Sequence, residues 1–311
     1  MYLVCGEALF DFFSDDASGQ TSTVNFKAIA GGSPFNVAVG LSRLGIDTAL
    51  FAGLSTDYLG RRLRRVLQEE GVRMDYLLDF DAPTTLAMVA VGADGSPHYS
   101  FRGEGCADRQ LLAGHLPKLG DEVRGLHIGS FSLVVQPIAD TLLTLVRRES
   151  GRRLITLDPN VRLNPEPNIE LWRQRIAALA KHADMIKVSD EDLGLLYPGR
   201  DPQSIAQEWL AQRCQLVFLT RGTQGASVYS RQHGHWSVPA REVVTADTVG
   251  AGDTFQAALI AWLSEQQLDS VAGLQRLDKA QIEAMLDFAV SAAAITCGRT
   301  GPDLPYRHQV S

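Results

Sequence analysis

Cysteine is scarce and scattered in this chain. Four occur in 311 residues, at Cys5, Cys106, Cys214 and Cys297. No Cys-x-x-Cys pair is present, which removes the usual signature of structural zinc. Three of the four sit in apolar surroundings and read as small core residues. Long hydrophobic runs are also missing. None reaches the roughly 18 residues that a membrane-spanning helix needs. The N-terminal MYLVCGEALFDFF has no basic lead-in and carries acids, so it does not read as a signal peptide. The expectation is a protein of the reducing cytoplasm, away from membranes. Positive charge is in deficit, with 29 Lys and Arg against 36 Asp and Glu and a net charge of −7. No basic cluster offsets that balance, which argues against a nucleic-acid surface. The densest basic run, RRLRR at 61–65, is followed by Glu69 and Glu70 and reads as a solvated helix face. No Gly-x-x-x-x-Gly-Lys-Ser/Thr motif occurs, and no internal repeat or low-complexity segment is visible.

What is present is an alternation. MYLVCG at the start, VRGLHIGS (123–130), RRLITLDPN (152–160), ADMIKVSD (183–190) and CQLVFLTRG (214–222) are short apolar runs ending in Gly or polar residues. Helical patterns fall between them at 138–149, 169–181 and 203–213. Apolar strands separated by helices predict a parallel sheet covered on both faces. Ligands bind such sheets beyond the carboxyl ends of the strands. That rule draws Ser130, Asp158–Arg162, Ser189–Asp192 and Thr220–Gly225 onto one rim. Two segments break the rhythm: TSTVNFKAIAGG (21–32) and TTLAMVAVGADGSPHYSFRG (84–103) read as strands, with a hairpin turn at 93–96. They predict a small β-sheet projecting from the main one as a lid.

The segment DTVGAGDTF (247–255) runs into a helical stripe of Phe255, Ala258, Leu259, Trp262 and Leu263. Gly250–Asp253 then forms the first turn, where backbone N–H groups lack helical partners and the dipole is positive. Glycines there let an anion come close to the backbone. An N-capping role for Asp253 or Asp247 is the plainer reading. AIAGGSPFNVAVGLSRLG (28–45) has the same form: Gly31, Gly32, Ser33 and Pro34 open an apolar helix, with Asn36 one turn in.

These two stretches, together with GEALFDF (6–12), DPNVR (158–162), SDEDL (189–193) and LTRGTQG (219–225), resemble in their order the signatures of the ribokinase-like sugar kinases, the PfkB family. The likeness covers nearly the whole chain. It implies a three-layer α/β/α sandwich with a mostly parallel sheet and a small lid sheet. One domain would cover 1–311, with lid strands from about 10–30 and 84–104. The implied chemistry is transfer of the ATP γ-phosphoryl group to a sugar hydroxyl, with fructose as the expected acceptor. A 2-keto-3-deoxygluconate kinase, or another sugar or nucleoside kinase of the family, is the alternative, and its sugar acid would need an extra cation or several donors in the pocket. A decayed sugar-binding relative would be expected to lose Asp253 or its glycines, and both remain. The missing third glycine of a dinucleotide fingerprint argues against a nicotinamide enzyme.

The resemblance also implies residue roles. Asp253 is the base, and the N–H groups of Gly250, Ala251 and Gly252 hold the migrating phosphoryl group. Asp11, closing the first strand, pairs with sugar hydroxyls. Gly31, Gly32 and Asn36 match sugar-binding positions. Arg102, in SFRGEGCAD, is expected to reach the sugar or its phosphate from the lid, and Asn160 and Arg162 to face the phosphates. Ser189, Thr220, Gly222 and Gly225 belong to the nucleotide side. Asp192 stands where the family has a glutamate that holds Mg²⁺ through water, and the aspartate is one methylene shorter. Asp247 stands at a monovalent-cation position, so K⁺ is implied beside Mg²⁺ and ATP. The segment 292–305 resembles the helix and loop that close over adenine. Lid sheets of relatives pair into homodimers. His233 and His235, in one turn without a third ligand, read as solvent-exposed rather than as a metal site.

Overall fold

The computed structural model describes residues 1–15, 22–91 and 97–310. The turn expected at 93–96 lies outside them. Among the described residues the strands are β1 (Tyr2–Cys5), β2 (Leu9–Asp15), β3 (Asn25–Gly31), β4 (Thr48–Ser55), β5 (Leu77–Phe80), β6 (Leu86–Val91), β7 (Pro97–Arg102), β8 (Gly125–Gly129), β9 (Leu154–Asp158), β10 (Met185–Ser189), β11 (Leu216–Thr220), β12 (Ala226–Ser230) and β13 (Gly234–Val238). The helices are α1 (Ser33–Arg43), α2 (Tyr58–Glu69), α3 (Ile138–Glu149), α4 (Ile169–Ala180), α5 (Asp190–Leu196), α6 (Pro202–Leu210), α7 (Ala251–Glu265), α8 (Val271–Arg276) and α9 (Lys279–Cys297).

The large sheet runs β13-β12-β11-β10-β9-β8-β1-β4-β5 and is parallel except at β12 and β13. Its central strands are apolar on both sides because both faces are covered. Tyr2 and Val4 pack with α1, α2, α7 and α9, while Leu3 and Cys5 pack with α3, α4 and α6. The chain steps from β1 outward to β4 on one side and to β8 on the other, so the strand order reverses beside β1. That is where open α/β sheets bind ligands. The small sheet, β3-β2-β6-β7, leaves the large one just after β1. Both sheets follow the architecture read from the sequence.

Two expectations need correction. Asp11 does not close the first strand, since β1 ends at Cys5 and Asp11 is the third residue of β2. The helix after Gly250 buries far more than one stripe. Every residue from Asp253 to Ala261 is buried, because α1 packs on one side of α7 and α9 on the other. The approach to α1 is close: a methyl at Gly40 would stand 3.0 Å from the Ala257 Cβ. By length and composition α9 is apolar enough to cross a membrane, which the run-length test did not reveal. Here it lies along α7, with Ile282, Met285, Leu286 and Ala289 in the core.

Candidate active site

The N-terminus of α7 opens at the carboxyl ends of the parallel strands. Gly250 caps it at φ 80°, ψ −3°, a left-handed conformation that glycine adopts without steric cost. The turn from left-handed to right-handed backbone aims successive N–H groups into one concavity. Among the described residues, the N–H groups of Gly250, Gly252 and Asp253 have no acceptor. The Ala251 N–H donates to the Thr248 carbonyl at 3.2 Å. Of the three amides expected to form an anion cradle, those of Gly250 and Gly252 are thus free, while that of Ala251 is turned back to close the turn and that of Asp253 is free as well.

Asp253 is no helix cap. Its Oδ1 accepts from Ser33 Oγ at 2.6 Å and its Oδ2 from Asn36 Nδ2 at 2.8 Å. Asp253 is 8% exposed. Two glycine-led helix starts, more than 200 residues apart in sequence, thus meet through one acid. Asn36, expected on the sugar, here orients Asp253. Ser33, which the sequence reading used only as a helix opener, does the same.

Beneath this turn lies Lys187, a charged residue inside strand β10. Its Nζ donates to Asp158 Oδ2 at 2.8 Å, and the two side chains are 4% and 1% exposed. A methyl at Gly252 would stand 2.9 Å from Lys187 Nζ, so the ammonium touches the first turn of α7. Burial works against that charge, but Asp158, Asp192 and Asp253 outweigh it and hold the lysine above its ordinary value. Among the described residues the remaining Asp158 oxygen is buried without a partner. In the sequence Lys187 lies inside what reads as an apolar run. A lysine in a strand buried on both faces was the available signal, since a buried charge needs a partner.

On the other side of Asp253 stands Asp11. A methyl at Gly31 would lie 2.4 Å from its Oδ2, so acid and glycine share one face of the small sheet. Burial pushes the Asp11 carboxyl up to about 6; Arg162 pulls it back and Asp253 adds to the rise. Asp11, Arg162 and Asp253 therefore feel one another across a shared space. Glu7 lies behind Gly32, its backbone oxygen 3.0 Å from where a methyl there would stand. It accepts from Ser132 Oγ, and burial pushes it up to about 7. Asn160 sits at φ 40° after β9.

Arg102 does not come to this face. Directly paired residues in a sheet point the same way. Asp11 pairs with Ala87 and Ala87 with Phe101, whereas Arg102 pairs with Leu86 and Leu86 with Phe10. Arg102 is thus on the opposite face of the small sheet, and exposed. Arg109 does stand on the Asp11 side, its guanidinium carbon 5.5 Å from the centre of the Phe101 ring.

The residues expected on the nucleotide side lie at the ends of β10 and β11 and in the turn that follows. Ser189 and Thr220 end adjacent strands and are direct partners in the parallel register. Gly222 opens a short turn and Gly225 closes it before β12. Asp192 is committed elsewhere than to an exposed metal position. It forms a capping box with Ser189 and accepts from the Val161 N–H at 2.8 Å, tying α5 to the 158–162 turn. Asp247 accepts from the Val249 N–H at 3.1 Å and the Gly301 N–H at 2.9 Å, joining the approach to α7 with the loop after α9. His233 meets the Leu277 carbonyl and His235 stacks on Tyr229, both exposed. Among the described residues no cluster of three metal-ligating side chains exists.

Comparison with known proteins places this geometry. The family model described as pfkB family carbohydrate kinase matches residues 1–309. A fructokinase of Rhizobium leguminosarum bv. trifolii is 37% identical over 279 residues, covering 90% of this chain and 84% of the relative. The crystal structure of a fructokinase from Xylella fastidiosa with bound ATP superposes with a TM-score of 0.89 at 28% identity, covering 99% of this chain and 96% of that one. A fructokinase double mutant from Vibrio cholerae, solved with fructose, ADP and potassium ion bound, gives 0.82 at 25% identity, covering 97% and 93%. The chain belongs to the pfkB family of carbohydrate kinases.

Proposed function

We propose that this chain is a fructokinase, transferring the γ-phosphoryl group of ATP to a hydroxyl of fructose. The observation that carries the chemistry is Asp253, fixed by Ser33 and Asn36 beside unpaired amides. The fructose assignment rests on its relatives. In this reading the sugar lies between Asp11 and Asp253, under the small sheet as a lid. One hydroxyl donates to Asp253, which takes its proton as the new O–P bond forms. The amides of Gly250, Gly252 and Asp253 hold the charge on the transferred group. Lys187 supplies a full positive charge below them, while Ser189, Thr220, Gly222 and Gly225 line the nucleotide side. Such a cradle cannot respond to charge development without being already in place, and the Ser33, Asn36 and Asp158 contacts hold it so.

Mg²⁺ would travel mainly with the ATP phosphates, since it keeps most of its waters and takes few protein ligands. Asp192 fits only as a support reached through water, because both its oxygens already accept from the backbone. Bound Mg²⁺ would neutralise phosphate charge. K⁺ is assigned to the loops that Asp247 joins, and its test is the dependence of kcat on added KCl. A dimer through the lid is the proposed assembly, read by its mass in solution.

The function is tested by measuring ATP-dependent phosphorylation of fructose, ribose, nucleosides and 2-keto-3-deoxygluconate side by side. Fructose should give the highest kcat/KM. A second reading, the ketodeoxygluconate kinase, is favoured by Arg162 near Asp11, because a sugar carboxylate needs a cation there. A higher kcat/KM on that acid would install it instead.

Asp11 also sets a pH dependence. Its raised value means it is ionised, and able to accept two hydroxyls, only above about pH 6. Acceptor KM should therefore be flat above pH 7 and rise about tenfold per unit below 6. Asp11→Asn should raise KM at all pH values and flatten that slope. An unchanged KM between pH 5 and 7 in the parent protein would remove Asp11 from the sugar.

A further inference from the structure

Among the described residues, Arg109 is the half-buried arginine left without a hydrogen-bond or ion-pair partner. Its guanidinium lies over two aromatic rings, 5.5 Å from the centre of Phe101 and 5.7 Å from that of Phe131. Its Nε is buried, and among the described residues no oxygen accepts from it. Comparably buried arginines are paired: Arg43 with Glu70 and Arg153 with Glu149. Rings hold a guanidinium in place but do not satisfy its in-plane donors. Leaving such donors unused in a half-buried place is costly unless something else takes them.

The location says what that is. Arg109 ends a short turn wedged between the two sheets. The Ala107 N–H donates to the Pro83 carbonyl, and Asp108 accepts from Thr85 Oγ1 at 2.6 Å. Phe101 and Phe131 pack edge to face at 5.3 Å between centroids. Phe131 precedes Ser132, which holds Glu7 behind Gly32. Phe101 shares the face of Asp11 through Ala87. The guanidinium thus borders the space that Asp11 faces, two strands along the small sheet from it.

We propose that Arg109 is a specificity residue, donating to an oxygen of the acceptor at the end opposite the one held by Asp11. This inference rests on the sugar-kinase reading of the site. A carboxylate at one end and a forked donor at the other suit a polyol with oxygens at both ends, since each hydroxyl can donate or accept. A sugar acid offering its carboxylate to the fork would gain most.

Arg109→Met keeps a long apolar stem against the two rings and removes the donors. The acceptor panel is run on the parent and on this variant. For the acceptor the parent prefers, KM should rise about 10- to 100-fold, as expected for losing a charge-assisted hydrogen bond, with ATP KM and Tm unmoved. Arg109→Lys keeps the charge without the planar fork and should recover part of the loss. An unchanged acceptor KM in Arg109→Met overturns the inference, as does a loss shared by ATP KM and Tm, which would mark a structural role. If the parent prefers another acceptor, the fructose reading falls, and Arg109 is still decided on that acceptor.

Discussion

Asp253→Asn should lower kcat by about 10³-fold while acceptor KM stays within a few-fold, because a positioned general base contributes about 10²- to 10⁴-fold. The fold should survive the change. Asparagine keeps an oxygen for Ser33 Oγ, and the Asn36 amide can turn to offer its own oxygen to the new Nδ2. Loss of the negative charge has a second readout. Asp253 contributes to the raised value of Asp11, so removing it should move the acid limb of the acceptor-KM profile to lower pH. Steady-state kinetics across pH 5 to 8 read both effects. A variant with near-parental kcat would remove Asp253 as the base.

The second large effect is expected at Lys187. Lys187→Met leaves Asp158 buried with no cation, and breaking a buried pair from one side costs about 3–5 kcal/mol. Tm should fall by on the order of 10 °C. Lys187→Met with Asp158→Asn removes both charges, so most of that Tm should return. The kcat should not return with it. If the ammonium stabilises the transferring phosphoryl group, both variants should lose about 10²-fold or more in kcat, comparable to removing one oxyanion donor. Recovery of kcat together with Tm would make Lys187 purely structural.

The parts legible in the sequence were those written in local pattern. Apolar runs closing in polar residues located the rim, and the glycines before Phe255 located the first turn of α7. The missing parts depend on which distant elements meet. Nothing within SPFN states that Ser33 and Asn36 will face Asp253; that follows from α1 packing along α7. Arg102 was put on the Asp11 face for a related reason. Alternation along β7 separates Phe101 from Arg102, but only the register against β6 tells which of them joins Asp11. The amide of Ala251 was assigned to the cradle because sequence cannot show the bond that turns it back to Thr248. Lys187 was the readable omission, a charge where strand burial forbids an unpaired one.

A crystal structure with ADP, fructose and aluminium fluoride tests the central claim most directly. The account predicts a planar fluoride within about 3 Å of the Gly250, Gly252 and Asp253 amides, with a sugar hydroxyl in line between it and the Asp253 carboxylate. A fluoride bound away from the start of α7, or a sugar whose hydroxyls do not reach Asp253, would contradict it.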